Sequence, residues 1–468
     1  MGGVPSSSST GGDAVGSTST SSTGAGGSMG PQTVYDVISA DPNYASLKAA
    51  VDKAGLAPTL QDPTASITLF APDNNAFANL FTLLQVNGLG AVSVGQLDPV
   101  LRYHVLDEEA DAAKVTVTAN NASSLTSLGG SIEFGQNGST IQLDDGIANL
   151  VSADITASNG IVHGISGVLL PSAFEVFDND PNFSSLIAAL GIADSDPQNP
   201  QLAAALKDGG PQVTVFAPTN QAFADLATTL AANPSTGITG LTDFGSYQLV
   251  PILRYHVAVA FSLTAAGFGV NFPTLGGGVK TAKAGNTFTA DGINVSVTDL
   301  RVRNGRIHVV DGVLLPAVGE IVATSSEFSA LSAAVSAADN APGTSPNLGP
   351  ALNTPAGSGA YTLFAPTNGA FAQLASPPTG QALTNVLAYH VLDRPAPVYA
   401  ADALALPAPT VFDTLLGSTP TAQLVVSSGP SGVLIDDSAT AQSASVEATN
   451  YFASNGVIHR IDKVLLPQ

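Results

Sequence analysis

The six histidines are the residues of this sequence with the widest chemical range, and all six recur in a fixed pattern. Each third of the chain carries two, one directly after a tyrosine and one closing an Asn-Gly-x-x-His sequence. The first set is His104, His256 and His390, and the second set is His163, His308 and His459. Within a third, the two histidines are 59, 52 and 69 residues apart. Because zinc needs three or four ligands, the pattern predicts structural, hydrogen-bonded histidines and no metal site.

Nucleophilic catalysis is not indicated by the remaining residues. The chain has no cysteine, which excludes thiolate nucleophiles, thiolate metal sites and disulfides. Its serines concentrate in the first thirty residues and in loops, and the motif histidines occur three times, whereas a catalytic triad needs one built pocket. We therefore expect no catalytic residue, no cofactor and no enzymatic activity.

Two groups of residues are candidates for binding a partner. The three Tyr-His pairs are Tyr103-His104, Tyr255-His256 and Tyr389-His390. Apolar neighbours flank each pair, so a partly buried helix-to-strand junction is the alternative interpretation. The one basic cluster comprises Arg301, Arg303 and Arg306, which could hold an acidic glycan or a carboxylate, or could be surface charges at a hairpin end.

The overall charge narrows the class of partner. Fourteen Lys and Arg residues stand against 36 Asp and Glu residues, a formal net charge of −22. Binding of nucleic acid or of anionic lipid needs clustered cations, so we expect neither. No uninterrupted apolar run of about 18 residues is present, which argues against a transmembrane span.

Two long sequence blocks recur in each third and define internal repeats. The first reads Thr-x-Phe-Ala-Pro-x-Asn-x-Ala-Phe around Phe70, Phe216 and Phe364. The second runs from Asn159 to Pro171, from Asn304 to Pro316 and from Asn455 to Pro467, and 7 of its 13 positions are identical in all three copies. We expect repeat 1 at 31–171, repeat 2 at 172–316 and repeat 3 at 317–468. Residues 1–30, rich in Gly, Ser and Thr, are expected to be a disordered tether.

Local sequence signals assign these blocks to strands, helices and turns. The apolar run before each Ala-Pro predicts a strand, and Asp73, Thr219 and Thr367 are expected to cap the helix that follows. The pairs Asn159-Gly160, Asn304-Gly305 and Asn455-Gly456 predict type I′ turns between hairpin strands. Helices in the first half of each repeat and hairpins in the second half indicate an α+β fold.

Together, the two blocks and the Tyr-His pair resemble the fasciclin domain family over essentially all of residues 31–468. The resemblance implies a compact β-wedge with packed helices in each repeat. It also implies a role in adhesion, to which the Tyr-His region contributes in animal members of the family.

The sequence thus predicts an extracellular or cell-surface adhesion protein, secreted or anchored at its N-terminus. The expected partner is a cell-surface or matrix protein or a glycan, including a second copy of the chain. Two alternatives remain open. One is a carbohydrate- or matrix-binding module without self-association, and the other is a passive structural spacer.

Overall fold

The computed structural model describes residues 32–196, 202–207, 212–354, 359–406, 409–430, 432–437 and 442–467. The tether expected at residues 1–30 lies outside the described residues. We use the repeat boundaries expected from the sequence throughout. Within each repeat, helices dominate the first half and strands the second, so the predicted α+β class is confirmed.

Repeat 1 contains six α-helices and seven strands among its described residues. Its helices are α1 (Val34–Ala40), α2 (Ala45–Ala54), α3 (Ala57–Gln61), α4 (Asn74–Leu84), α5 (Val94–Tyr103) and α6 (Ala112–Asn120). Its strands are β1 (Ile67–Pro72), β2 (Val105–Leu106), β3 (Ser124–Ser127), β4 (Gly130–Asn137), β5 (Thr140–Leu143), β6 (Ala148–Ala157) and β7 (Gly160–Ile165).

Repeat 2 follows the same plan with a shorter helical segment after its second strand. Its helices are α7 (Ala173–Asn179), α8 (Ser184–Ala193), α9 (Leu202–Leu206), α10 (Asn220–Ala231) and α11 (Ser246–Tyr255). Its strands are β8 (Val213–Pro218), β9 (Val257–Val259), β10 (Asn271–Thr274), β11 (Gly277–Ala284), β12 (Thr287–Ala290), β13 (Ile293–Val302) and β14 (Gly305–Val310).

Repeat 3 repeats the plan once more. Its helices are α12 (Val318–Thr324), α13 (Ser329–Asp339), α14 (Leu348–Leu352), α15 (Asn368–Ala372), α16 (Gly380–Tyr389) and α17 (Ala400–Leu404). Its strands are β15 (Ala360–Pro366), β16 (Val391–Arg394), β17 (Thr410–Asp413), β18 (Gln423–Gly429), β19 (Gly432–Asp436), β20 (Ala444–Ala453) and β21 (Gly456–Ile461).

The first and last strands of each repeat pair in parallel, which brings the two sequence blocks side by side. In repeat 1, β1 lies between β7, which is parallel, and β2, which is antiparallel, and the seven strands close on themselves. The same order recurs around β8 and β15. The residues of β1 and β8 are buried throughout, because helices cover one face and the hairpins cover the other.

The predicted helix caps after the Ala-Pro dipeptides are confirmed. The Asp73 carboxylate accepts a hydrogen bond of 2.7 Å from the amide of Ala76. The hydroxyls of Thr219 and Thr367 accept the equivalent bonds at 3.3 and 3.2 Å. Each bond satisfies one amide that has no partner inside the helix.

The predicted type I′ turns are wrong by one residue. Ala157 pairs with Gly160 across the hairpin, so the two loop residues are Ser158 and Asn159, and neither has a positive φ. Gly160 is instead the first residue of β7, and a Cβ there would lie 1.9 Å from the Ile67 carbonyl oxygen. The glycine is therefore required by the close approach of β1.

The same correction applies to the other two repeats. The loop residues precede Gly305 and Gly456, where a Cβ would lie 1.9 and 2.2 Å from the carbonyl oxygens of Val213 and Tyr361.

Among the described residues, no single helix is long and apolar enough to cross a membrane. Only α12 and the stretch Ser326–Asp339 taken together, bent by 90°, pass that test.

Candidate functional site

All three Tyr-His pairs lie in the protein interior. The six side chains are at most 3% exposed, because each pair ends a helix that leads directly into the second strand of its repeat (β2, β9 or β16). A partner that docks on the folded surface would not touch them. The hypothesis that the pairs form a contact surface therefore has no exposed side chain to support it, and the junction interpretation fits the burial.

Each histidine of these pairs joins its helix to the Val-Leu-Leu-Pro segment at the end of the repeat. The His104 Nδ1 lies 2.7 Å from the carbonyl oxygen of Val100, and its Nε2 accepts a hydrogen bond of 2.9 Å from the Leu169 amide. Because an amide can only donate, Nε2 is unprotonated and Nδ1 carries the proton. The same two bonds recur at His256, with Ile252 and Leu314, and at His390, with Val386 and Leu465.

The second set of histidines has the opposite tautomer. The His163 Nδ1 accepts from the Asp154 amide at 3.2 Å, and its Nε2 lies 2.6 Å from the carbonyl oxygen of Ala110. The proton is therefore on Nε2. Equivalent bonds are made by His308 to Asp299 and Leu263, and by His459 to Asn450 and Val398. Phe70, Phe216 and Phe364 stack on the three rings with centroids 5.5, 5.6 and 5.7 Å apart.

Burial keeps four of these histidines neutral. Burial is the main cause that lowers the pKa of His104, His256, His390 and His459 to about 4. Both ring nitrogens of every histidine are already engaged inside the protein, so neither is open to a metal or a substrate. Across the described residues, no group of three or more His, Asp or Glu side chains is arranged to hold a metal ion.

The asparagines of the second block tie the end of each repeat to its beginning. The Asn159 Oδ1 accepts from the Val34 amide at 2.8 Å, and its Nδ2 donates to the carbonyl oxygens of Leu60 and Asp62. Asn304 and Asn455 make the same contacts to Ala173 and Val318 and to the third helices of their own repeats. One buried amide group thus fixes three segments that are distant in sequence.

The three arginines expected to form one cluster are divided by the structure. Arg301 and Arg306 are direct cross-strand partners on β13 and β14. Arg306 donates from Nε to the Ser262 hydroxyl at 3.1 Å and lies 3.5 Å from Asp299. Burial, and then the charge of Arg306, lower the pKa of Arg301. Arg303 points elsewhere, so the cluster is not a single binding surface.

Arg303 crosses from repeat 2 into repeat 1. Its guanidinium donates to the Tyr103 hydroxyl at 2.8 Å and lies 3.2 Å from an oxygen of Asp144 and 3.3 Å from Glu175. The side chains of Arg303 and Asp144 are only 12% and 0% exposed. Burial raises the pKa of Asp144 to about 7, although the positive charge of Arg303 opposes this. This residue therefore joins two repeats and is not available to a glycan.

The junction between repeats 2 and 3 is built differently. Ser454 occupies the position of Arg303, and both residues donate their amide to the carbonyl oxygen of the proline that ends the preceding repeat. Aromatic rings fill the junction, with Phe244 and Phe452 at 5.8 Å and Tyr247 and Tyr451 at 5.0 Å between centroids.

Buried amides complete this second junction. The Gln248 Nε2 donates to the carbonyl oxygen of Asn450 at 2.8 Å, and the Asn450 Nδ2 donates to that of Thr236 at 3.1 Å. The equivalent Gln96 at the first junction donates to the carbonyl oxygen of Thr298 at 2.7 Å. Both junctions thus use a glutamine, but only the second adds aromatic packing and an asparagine.

Sequence reasoning did not find the glutamates that are common to both junctions. Glu175 and Glu320 are third residues of their helices; Glu175 completes a capping box with Ser172, and Glu320 accepts a hydrogen bond from the amide of Ala317. Each also accepts a hydrogen bond of 2.8 Å from a strand amide of the preceding repeat, from Ser131 and Gly278 respectively. The Ser172-x-x-Glu175 spacing is a signal for a helix start, but nothing local indicates the contact with the strand.

Comparison with known proteins places these features in a family. The fasciclin domain model matches residues 42–171, 181–316 and 326–467. The chain is 26% identical to transforming growth factor-beta-induced protein ig-h3 of Sus scrofa over 449 residues, and 27% identical to periostin of Homo sapiens over 455 residues. Each alignment covers 93% of this chain but only 57% and 47% of those proteins, so the chain spans about half their length.

Solved structures match as well, among them one pair of domains. It is the FAS1 domain pair from the insect cell adhesion molecule Fasciclin I, at 19% identity and a TM-score of 0.27, covering 57% of this chain and 92% of that one. The family assignment rests on the sequence model, which matches most of the chain in three successive copies. The chain therefore belongs to the fasciclin domain family, with three tandem domains.

Proposed function

We propose that this chain is an adhesion or matrix-binding protein whose three fasciclin domains act together. The observation that carries the proposal is the extent of the similarity to ig-h3 and periostin, which runs through all three domains and not through one of them. A tandem array presents several modest contacts at once, and linked contacts strengthen binding through effective concentration.

The domain junctions support a joint action of the three domains. Arg303 joins domains 1 and 2 through a buried ion pair, and aromatic rings join domains 2 and 3. Fixed junctions hold the outer faces of neighbouring domains in one arrangement, which lowers the entropy that a multivalent partner would otherwise have to remove. In this proposal the histidines maintain the fold, the protein is not an enzyme, and it acts outside the cytoplasm.

One partly buried pair of arginines remains as a candidate for binding. Arg301 and Arg306 lie beside Ser262, which follows Phe261, a phenylalanine that is 53% exposed. The described residues offer no carboxylate within salt-bridge distance of Arg301. An arginine pair near an exposed aromatic ring suits an acidic sugar, so binding of an acidic glycan at this site is the second candidate function.

Clustering of coated beads tests the first proposal. Beads carrying the full chain are expected to cluster, and an excess of the soluble chain should disperse the clusters. The assay is run with calcium and with a chelator, because no carboxylate cluster among the described residues indicates whether clustering requires calcium. Beads that stay dispersed in both conditions would reject self-adhesion. Retention on an acidic glycan column, lost in Arg301→Ala, would then favour the second candidate.

A further inference from the structure

A small groove between domains 2 and 3 brings two arginines to one cavity of about 80 Å³. Domain 2 contributes Val250 and Arg254 from α11, and domain 3 contributes Ser325, Ser326 and Arg460. Neither domain forms this cavity alone. A cavity of this size has room for a single oxyanion group.

Arg254 is a cation without a counter-ion in this groove. Its Nε and Nη2 both donate to one carbonyl oxygen, that of Leu275, at 3.3 and 3.2 Å. No carboxylate of the described residues lies within salt-bridge distance of it. Burial lowers its pKa, which reflects the cost of holding this charge away from water.

The other arginine of the groove, Arg460, forms ion pairs with two glutamates. Arg460 lies 2.8 Å from Glu327 and 3.4 Å from Glu447, and Glu327 also accepts from the Tyr451 hydroxyl at 2.9 Å. Asp196 lines the groove as well. Arg460 therefore has its carboxylate partners, and Arg254 is the arginine of the groove that has no carboxylate of the described residues within salt-bridge distance.

The chain contains an internal comparison at the junction of domains 1 and 2. The groove there is lined by Arg102 together with Asp98, Glu175 and Asp180, one cation against three carboxylates. Arg102 is neutralised by Asp98 at 2.8 Å.

Two replacements distinguish the grooves. Val250 stands in α11 where Asp98 stands in α5, each five residues before the tyrosine of the Tyr-His pair. Ser325 stands where Asp180 does, each before the 3-10 helix that follows the first α-helix of its domain. Domain 2 thus lacks the acid that would pair with Arg254, and domain 3 replaces a charge by a hydroxyl.

We propose that the groove between domains 2 and 3 binds one oxyanion group, a carboxylate, sulfate or phosphate, through Arg254 and the hydroxyls of Ser325 and Ser326. Because both domains form the site, a bound anion stabilises their contact. This proposal stands or falls independently of the adhesion proposal.

Equilibrium dialysis of the full chain against radiolabelled sulfate, at constant ionic strength, tests the proposal. The expected result is saturable binding of one sulfate per chain, displaced by phosphate or acetate according to the preferred group. Arg254→Ala should weaken binding by about tenfold or more, as loss of a charge-assisted contact does. Arg102→Ala is the matched control and should bind as the wild type does.

A second variant keeps Arg254 but gives it a carboxylate partner inside the protein. Val250→Asp gives α11 the acid that α5 carries at Asp98, where the fold accommodates it, and should abolish sulfate binding by pairing with Arg254. The proposal is overturned if the wild type binds none of the three anions saturably, if Arg254→Ala binds as tightly as the wild type, or if folded Val250→Asp does.

Discussion

The Arg303 guanidinium lies 3.2 Å from the carboxylate of Asp144, and the two residues belong to different domains. Asp144 is buried and the side chain of Arg303 is 12% exposed, and the Tyr103 hydroxyl completes the contact at 2.8 Å. A tyrosine of the Tyr-His motif thereby receives the only arginine that the described part of domain 2 inserts into domain 1. The motif residue has a place in the architecture of the junction and not on the surface.

Removal of Arg303 should loosen domain 1 from domain 2. At pH 8, where Asp144 with its pKa of about 7 is mostly ionised, Arg303→Ala leaves this carboxylate buried without its cation, and loss of one member of a buried pair costs about 3–5 kcal/mol. Calorimetry of the variant is expected to show domain 1 unfolding at a lower temperature and separately from domains 2 and 3. Arg102→Ala removes an exposed pair with Asp98 and should cost less than about 1 kcal/mol. Equal effects of the two variants would contradict the account.

Asp144 should make stability depend on pH in a defined direction. Its folded-state pKa of about 7 is above the ordinary 3.8, so the native protein binds a proton that the unfolded chain does not. The resulting stability is fully present below about pH 4 and is lost as the pH rises through about 7. In Asp144→Asn this contribution, about 4 kcal/mol at most, should be absent. Urea unfolding of both proteins at pH 4.5 and pH 8 measures the difference.

The motif histidines should act in the opposite direction. The folded-state pKa of His104 is about 4, below the ordinary 6.5. The stability it contributes is present above about pH 6.5 and is lost as the pH falls through about 4, by roughly 3 kcal/mol for each such histidine. A protonated ring could not accept from the Leu169 amide. His104→Gln should lower stability at pH 7 and flatten this acid dependence; an unchanged slope would contradict the lowered pKa of His104.

The glycine that begins the last strand should not tolerate a side chain. Gly160→Ala places a Cβ 1.9 Å from the Ile67 carbonyl oxygen, so β1 and β7 must move apart. We expect a loss of about 3 kcal/mol or more in the free energy of unfolding. Gly135→Ala is the control, because no atom lies within 4 Å of the added Cβ. Chemical denaturation of both variants decides the matter, and a mild effect at Gly160 would show that the strands can yield.

The elements that the sequence predicted correctly depend on local interactions. The caps at Asp73, Thr219 and Thr367 could be predicted because the side chain and the amide it bonds are three residues apart. The alternation of helices and hairpins likewise follows from local pattern. These features depend on contacts between residues that are close in sequence.

The misplaced turn and the misread arginine depend on distant residues. Gly160 has its role because of the Ile67 carbonyl, and Arg303 contacts a tyrosine 200 positions earlier in the chain. The acid partners Asp144 and Glu175 carry no local sequence signal for that contact. Three arginines close in sequence indicated one cluster, but the hairpin turn directs Arg303 toward domain 1 and leaves Arg301 and Arg306 facing each other.

Bead clustering by the wild-type chain and by Arg303→Ala tests most directly whether docked fasciclin domains mediate adhesion. The account predicts that wild-type beads cluster and that soluble chain disperses them. It also predicts that Arg303→Ala beads, with every domain still folded, cluster more weakly because domains 1 and 2 no longer present a fixed arrangement. Wild-type beads that never cluster would contradict self-adhesion, and equal clustering by the variant would contradict the role of the docked junction.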